Sequence, residues 1–561
     1  MKRLAYFTFV AALGLGWYLA LPPAPRGVSG AAAGPRHARG VIHVHTDRSD
    51  GTGSLQDVAE AAARAGLDFV ILTDHGDGTR PPLPPQYYGS VLLIDAVEVS
   101  TDGGHVVALD LPEASYPLAG EPRDVLEDIA RAGAFAIAAH PGSPKDELRW
   151  ADWEAPVDGL EWLNADSEWR DEPWPSLARA LLTYPARGAS SLALLLDRPD
   201  PVLQRWDALT QRGRVVGVAA SDAHARIGLT SGGEPYDNRA SVPVPSYEQM
   251  FRALTIALPG VALQRDAAAD ARQILDAIRG GHVYSVIDAV AGPGALTFTG
   301  MSGGASASMG DRLPAGDVVF TVAARAPDDA RIELRRNGQV IAAQQGRTLE
   351  HRAAEPGVYR VEVLLPGAPG TPPVPWILSN PIYVGGADAP PIGDAPQPAA
   401  RFEAVFDDGP AEDWAIEASA ASTGALDVIG SVGGGTQLSL RYALGGAESD
   451  GPYVALVAPA GPEIAEFDRL VFTARARQPM RVSVQLRAGE GDGQRWQRSV
   501  YLDATPRTIT VRFDDMHPVA PAAADRPALA DVRNVLWVVD TVNTALGGSG
   551  EVLLDAIRYG R

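Results

Sequence analysis

The residues of this chain best suited to chemistry are histidines and carboxylates placed at recurrent positions. His43 and His45 lie two apart in Val41-Ile42-His43-Val44-His45, and Asp50 follows in Ser49-Asp50-Gly51. His75 closes Thr73-Asp74-His75, Glu98 sits in Val97-Glu98-Val99, and His105 follows two glycines. His140 stands in Ala139-His140-Pro141, and Asp222 and His224 share Ser221-Asp222-Ala223-His224. Neutral imidazole together with carboxylate suits zinc, manganese or ferrous iron. These nine residues exceed the needs of one ion, so two or three divalent transition ions sharing a bridging carboxylate are expected. The other histidines, His37, His282, His351 and His517, have no comparable setting and are expected at the surface or in packing.

Each candidate ligand lies in or just after a short apolar run. The pattern predicts strands at Val41–His45, Phe69–Leu72, Ala96–Ser100, His105–Leu109, Phe135–Ala139, Gly159–Leu163 and Val215–Ala220. Residues i and i+2 of a strand share a face, which would aim His43 and His45 together. Helices are predicted at Ser54–Ala65, where Ser54 can cap and Gly66 can stop, and at Pro122–Gly133, Trp174–Leu182 and Pro201–Arg212. Alternating strands and helices imply a mainly parallel sheet, open or closed into a barrel. In a barrel the C-terminal strand ends meet at one mouth, so the nine residues would form one constellation.

The composition narrows the chemistry. The 561 residues make a single small module too small an account. Cysteine is absent, which excludes disulfides, thiolate metal sites and a cysteine nucleophile. Lys2 and Lys145 are the only lysines, so Schiff-base chemistry has almost no candidate. The formal charge of −21 repels nucleic acid at long range.

The N-terminus, Met1-Lys2-Arg3 followed by an uncharged run from Leu4 to Leu21, reads as a secretory leader or membrane anchor, with a cleavage zone around Ala31–Ala33. Either outcome places the rest of the chain outside the cytoplasm: periplasmic, secreted or membrane-anchored.

Residues 40–290 resemble the PHP (polymerase and histidinol phosphatase) metallohydrolases, through H-V-H-T and S-D-G within 43–51, T-D-H at 73–75, the glutamate at 98, A-H-P at 139–141 and S-D-A-H at 221–224. The stretch Ala277–Ser285, leading into a β-region that ends Ser379-Asn380-Pro381, is similar to the CehA/McbA branch. The resemblance implies a distorted (β/α)7 barrel with a trinuclear site. It would place one ion on His43, His45, Glu98 and Asp222, a second on Asp50, His75 and His224, and a third on His105 and His140 with Glu98 bridging. It further implies a hydrolase, foremost a phosphoesterase, in which a hydroxide shared by two cations attacks a phosphomono- or phosphodiester. Hydrolysis of a carboxyl or carbamate ester is the alternative. Asp222 or His224 would move the proton, and Arg226 and Arg80 are candidates for gripping phosphate. The segment between His140 and Asp222, with Trp150, Trp153, Trp162, Trp169 and Trp174, is expected to shape the substrate mouth.

The expected division is a leader at 1–36, the PHP barrel at 37–293, a small Ig-like β-sandwich at 294–385, a Pro-rich linker at 386–400 and a second β-sandwich at 401–561. In the last, Phe406-Asp407-Asp408-Gly409, Trp537-Val538-Val539-Asp540 and Leu554-Asp555-Ala556-Ile557 resemble galactose-binding-like carbohydrate-binding modules. Asp408 and Asp555 either share a structural calcium or serve as caps and turn formers. Trp414 and Trp496 either stack on a sugar or pack in the core. A non-catalytic surface protein that binds carbohydrate and keeps a structural metal cage is the reading from a different class.

Overall fold

The computed structural model describes residues 2–30, 37–228, 241–385, 399, 401–431, 434–447, 451–489, 493–519 and 526–561. The expected cleavage zone at 31–33, and the linker at 386–400 apart from residue 399, lie outside them. The chain divides into two compact units, one of residues 1–112 and 121–392, the other of 113–120 and 393–561. The described residues are rich in β-structure, with seven α-helices.

In the first unit, β1 (Ala38–Val41), β2 (Phe69–Leu72) and β4 (Val91–Asp95) pair in parallel, and β3 (Gln86–Tyr88) adds antiparallel to β4. On its other side β1 pairs antiparallel with Thr255–Leu258. A second sheet runs β5 (Val97–Thr101), β6 (Gly104–Leu109), β7 (Phe135–Ala139), β8 (Gly159–Asn164) and β9 (Val216–Ala220). The two sheets meet at single-residue bridges, Val44 with Ala223 and His75 with Glu98.

The sheets are less parallel than the sequence predicts. β5–β6 and β6–β7 are antiparallel, because the Asp102-Gly103 turn is too short for a crossover and folds β5 and β6 into a hairpin. The first strand also ends earlier than predicted. It stops at Val41, and His43 adopts a left-handed backbone (φ 65°) that interrupts the ladder before Val44 resumes it.

Apolar residues of both sheets share one core, including Phe69, Ile71, Ile94, Val107, Ile137 and Val218. Helix α2 (Leu55–Ala65) buries Val58, Ala59, Ala61 and Ala62, the face that its spacing predicts. Ser54 caps it in a reciprocal box with Asp57, and Gly66 ends it in the left-handed conformation. Helix α3 is Pro122–Arg131, and α5 is Asp200–Arg212. Helix α4 extends well past the predicted end, over Trp174–Ala193, with Pro185 inside and a break at Arg187. Helix α1 spans Lys2–Ala20; among the described residues no helix is long and apolar enough to cross a membrane.

The region 294–385 does not stand apart from the first sheet. Tyr284–Val286 pairs with Ile377–Ser379, so that sheet continues through Gly357–Leu364 and Arg331–Arg336. Four strands, Ala295–Ser302, Ala305–Ser308, Val318–Arg325 and Thr348–Ala353, form a separate antiparallel sheet.

The second unit contains two six-stranded sheets around a core that includes Leu438, Leu440, Phe472, Trp496 and Trp537, a β-sandwich. Trp496 is 2% exposed, and Trp414 stacks on Trp537 with ring centroids 5.6 Å apart, so both nominated tryptophans pack inward. Asp408 accepts from the Thr436 amide, and Asp555 accepts from the Ala556 amide and Ser431. Both carboxylates therefore do turn chemistry, and among the described residues neither belongs to a cluster of three or more imidazole or carboxylate groups.

Candidate metal centre

The nine nominated ligands come together where the two sheets meet. Four overlapping groups have donor atoms within 4.8 Å of one another: His45, Asp50, His75 and His224; His43, Glu98 and His140; His43, His45 and Asp222; His75, Glu98 and His105. Glu98 is central. One of its oxygens lies 3.1 Å from His43 Nε2, 3.3 Å from His45 Nε2 and 3.3 Å from His75 Nδ1. The other lies 2.8 Å from His105 Nδ1 and 2.9 Å from His140 Nε2.

Strand ends deliver these side chains, and several do so through unusual backbone. His43, His140 and Asp222 have φ of 65°, 31° and 46°. Non-glycine residues avoid this region, and such strain concentrates at functional sites. His105 reaches Glu98 because the hairpin pairs Ser100 with His105, and β6 sets His105 beside Ala139, next to His140.

The protons can be placed by chemistry. The Leu148 carbonyl only accepts, so His140 Nδ1 donates to it at 3.0 Å. His224 Nδ1 likewise donates to the Asp222 carbonyl at 3.0 Å. Glu161 accepts from the His140 amide at 2.6 Å and from Asn164 Nδ2 at 2.8 Å, and His43 Nδ1 donates to it at 2.5 Å. Each ring is thus left with Nε2 facing a carboxylate oxygen: His140 to Glu98, and His224 to Asp50 at 3.1 Å. Two electron-rich atoms in this arrangement need a proton or a cation between them. The buried Nε2 atoms of His43 and His45 have no hydrogen-bond partner in spite of the nearby carboxylates. His45 and His224 stack with centroids 4.1 Å apart and planes 11° apart, a poor arrangement for two imidazoliums. Neutral rings around divalent cations satisfy all of these contacts, and the donor set fits such ions.

Electrostatics inside the cluster is strongly coupled. Burial opposes charge on His45, but the carboxylates of Asp222 and Glu98, 3.2 and 3.3 Å from its Nε2, overrule it and lift its pKa to about 10. His43 and His140 are raised in the same sense, burial again being outweighed by carboxylates. His75, less well paired, is pulled down to about 4, first by burial. Glu98 and Asp222 are held well below the carboxylate range: burial would raise them, and the surrounding imidazoles lower them. Asp50 is lowered for the same reason, with His224 the leading ring.

Several residues that matter were not singled out from the sequence. Glu161 is a buried carboxylate within the apolar run Gly159–Leu163 of strand β8, and that contrast was the available signal. Asp74 is not a ligand but an organiser. It accepts from the Thr46 amide, Ser49 Oγ and Arg48, which fixes the loop carrying Asp50. Asn164 Nδ2 bonds Asp222 Oδ2 at 3.1 Å.

Of the arginines proposed for phosphate, Arg226 pairs with Asp50 at 3.1 Å, whereas Arg80 is exposed on the loop after β2. The tryptophans divide. Trp150 and Trp162 are core residues, the latter donating to Ser285 Oγ, and Trp153 lies beside Arg205. Only Trp169 and Trp174 among these five line the cavity that reaches His224 and Arg226. His37 bonds Tyr284, His282 lies near Asp311, His351 belongs to the strand Thr348–Ala353, and His517 belongs to a short strand of the second unit.

No family model matches the chain. An uncharacterized protein of Methanocaldococcus jannaschii is 27% identical over 139 residues, which is 22% of this chain and 80% of that protein. Similar solved structures include a family 11 carbohydrate-binding module of a Clostridium thermocellum cellulosomal cellulase, with TM-score 0.25, 15% identity and coverage of 29% of this chain and 97% of that one. A mannan-recognising carbohydrate-binding module has TM-score 0.21, 16% identity and coverage of 29% and 97%.

Proposed function

We propose that the first unit is a metal-dependent hydrolase of the PHP kind, acting foremost on phosphoesters. The observation that carries this is the set of imidazole nitrogens directed at shared carboxylates, with Glu98 within 3.3 Å of five histidines. The seven-stranded barrel reading is supported by the bridges between the sheets, which close a circuit β1–β2–β5–β6–β7–β8–β9.

His43, His45, Glu98 and Asp222 would hold one ion, Asp50, His75 and His224 a second, and Glu98, His105 and His140 a third. Divalent cations, when bound, supply Lewis acidity and a more acidic water. The chain's own groups do the rest. Glu161 and the Leu148 carbonyl hold the tautomers of His43 and His140. Asp222, whose second oxygen Asn164 holds, or His224, whose Nε2 faces Asp50, would move the proton. In the net reaction water's oxygen bonds to phosphorus, the ester P–O bond breaks, and the departing alkoxide takes the proton.

The second reading is a carboxyl or carbamate ester hydrolase, favoured by the apolar cavity that adjoins His224. An extracytoplasmic location is inferred from the basic start and the uncharged run after it. For the second unit a carbohydrate-binding role is proposed from the sequence resemblance; with Trp414 and Trp496 packed inward, other groups would have to read the sugar. Turnover of phosphomono-, phosphodi-, carboxyl and carbamate esters by the metal-loaded full chain tests the main reading. Phosphoester hydrolysis that is lost in His43→Ala supports it. Turnover of carboxyl or carbamate esters alone favours the second reading, and no turnover of any ester defeats both.

A further inference from the structure

A cavity of about 260 Å³ opens beside the candidate centre, and His224 and Arg226 form part of its wall. Its remaining wall is mostly aliphatic, from α4, the residues after it and the segment around Met250 and Leu254. Trp174 and Leu181, on its lining, are 75% and 60% exposed. Large apolar side chains left open beside a polar centre mark a place where an apolar partner belongs.

One loop joins the centre to this cavity. Asn164, at the end of β8, bonds Asp222 through Nδ2 and accepts the Asp166 amide through its carbonyl oxygen at 3.1 Å. Asp166 then accepts from Trp169 Nε1 at 3.0 Å and pairs with Arg170, whose guanidinium lies over the Trp169 ring at 4.7 Å. The polar groups therefore gather at the end of the cavity nearest the cluster, and the aliphatic wall leads away from it.

We propose that this cavity holds the alkyl chain of an amphiphilic ester whose polar head lies at the histidine–carboxylate cluster. The inference rests on the hydrolase reading and names its substrate class. An apolar cavity of roughly 150 Å³ accepts benzene, so the present volume takes a chain of about ten carbons. The aliphatic lining and exposed rim suit a flexible chain that can run past Leu181.

The test uses alkylphosphonates, from methyl to decyl, titrated calorimetrically into the zinc-loaded full chain below their micelle concentrations. Affinity should rise about fourfold per added methylene until the cavity is full, with an increasingly negative heat-capacity change. Ala178→Phe, which fills the cavity from α4, should retain methylphosphonate binding and lose the chain-length gain. His43→Ala should weaken methyl- and octylphosphonate equally and leave the gain per methylene intact. A flat chain-length series in wild type, or an unchanged gain in Ala178→Phe, overturns the proposal. Tighter binding of arylphosphonates than of alkyl ones with the same carbon count also overturns it, in favour of a ring. A clear chain-length gain without ester turnover would instead retain the alkyl site and reject the hydrolase reading.

Discussion

His43 Nδ1 lies 2.5 Å from Glu161 Oε1, and both residues are buried. Glu161 also accepts the His140 amide and the Asn164 side chain, so both of its oxygens are engaged. It therefore fixes the His43 ring with Nε2 toward Glu98 and Asp222. A carboxylate behind a ligating imidazole sets its tautomer and raises its basicity.

Glu161→Gln keeps the size of the side chain and removes the charge. Affinity for zinc should fall by about 10–100-fold, measured by competition with a chelating dye. An unchanged affinity would mean that Glu161 only fills space.

Cation binding should release protons. In the chelated protein His43, His45 and His140 have raised pKa values, His45 at about 10, and a cation must displace those protons. Calorimetry at pH 7.5 in buffers of different ionisation heats should show net release. The same linkage governs stability of the chelated form. The His45 contribution is complete below the unfolded value of 6.5 and is lost as pH rises to about 10. His75 acts with the opposite sign, because its pKa is lowered to about 4, and costs stability as pH falls from 6.5 toward 4.

Gly51→Ala should damage the Asp50 side of the centre. A Cβ there would lie 2.4 Å from the His45 carbonyl oxygen and 2.7 Å from the Tyr247 hydroxyl, so the loop must move. The variant should bind fewer ions per chain by elemental analysis while Glu98, His105 and His140 keep theirs.

Much of this centre was legible before any coordinates. Imidazoles and carboxylates after apolar runs have few structural uses, and the spacing of 43, 75, 98, 140 and 222 already suggested one meeting point. The cap at Ser54 and the stop at Gly66 were equally readable, since both are local. The left-handed turns at His43, His140 and Asp222 were not, because that backbone is held by contacts remote in sequence, such as those between 42–45 and 221–223. The roles of Glu161 and of the tryptophans were hidden for the same reason: a strand pattern shows alternation, but it does not show which neighbour a buried side chain meets.

Glu362 provides a test away from the centre. It is fully buried and binds Arg198 at 2.7 Å, Arg360 at 2.5 Å and Arg335 at 3.1 Å, tying the strand Gly357–Leu364 to the start of α5. Burial would raise its pKa, and the guanidiniums bring it down to about 2. Glu362→Ala removes the carboxylate that three arginines share and leaves each with one partner, Arg198 with Asp200, Arg360 with Asp207 and Arg335 with Glu333, and should cost about 1–3 kcal/mol in chemical unfolding. The wild-type contribution is present above 4.5 and is lost as pH falls toward about 2.

The central claim is that His43, Glu98, Asp222 and their neighbours form one metal centre, and elemental analysis of the full chain tests it most directly. After loading with zinc, manganese or iron and exhaustive dialysis, the wild type should retain about two or three ions per chain, and His43→Ala, with an unchanged circular dichroism spectrum, should retain fewer. Less than one ion per chain in the wild type under every loading condition would contradict the account.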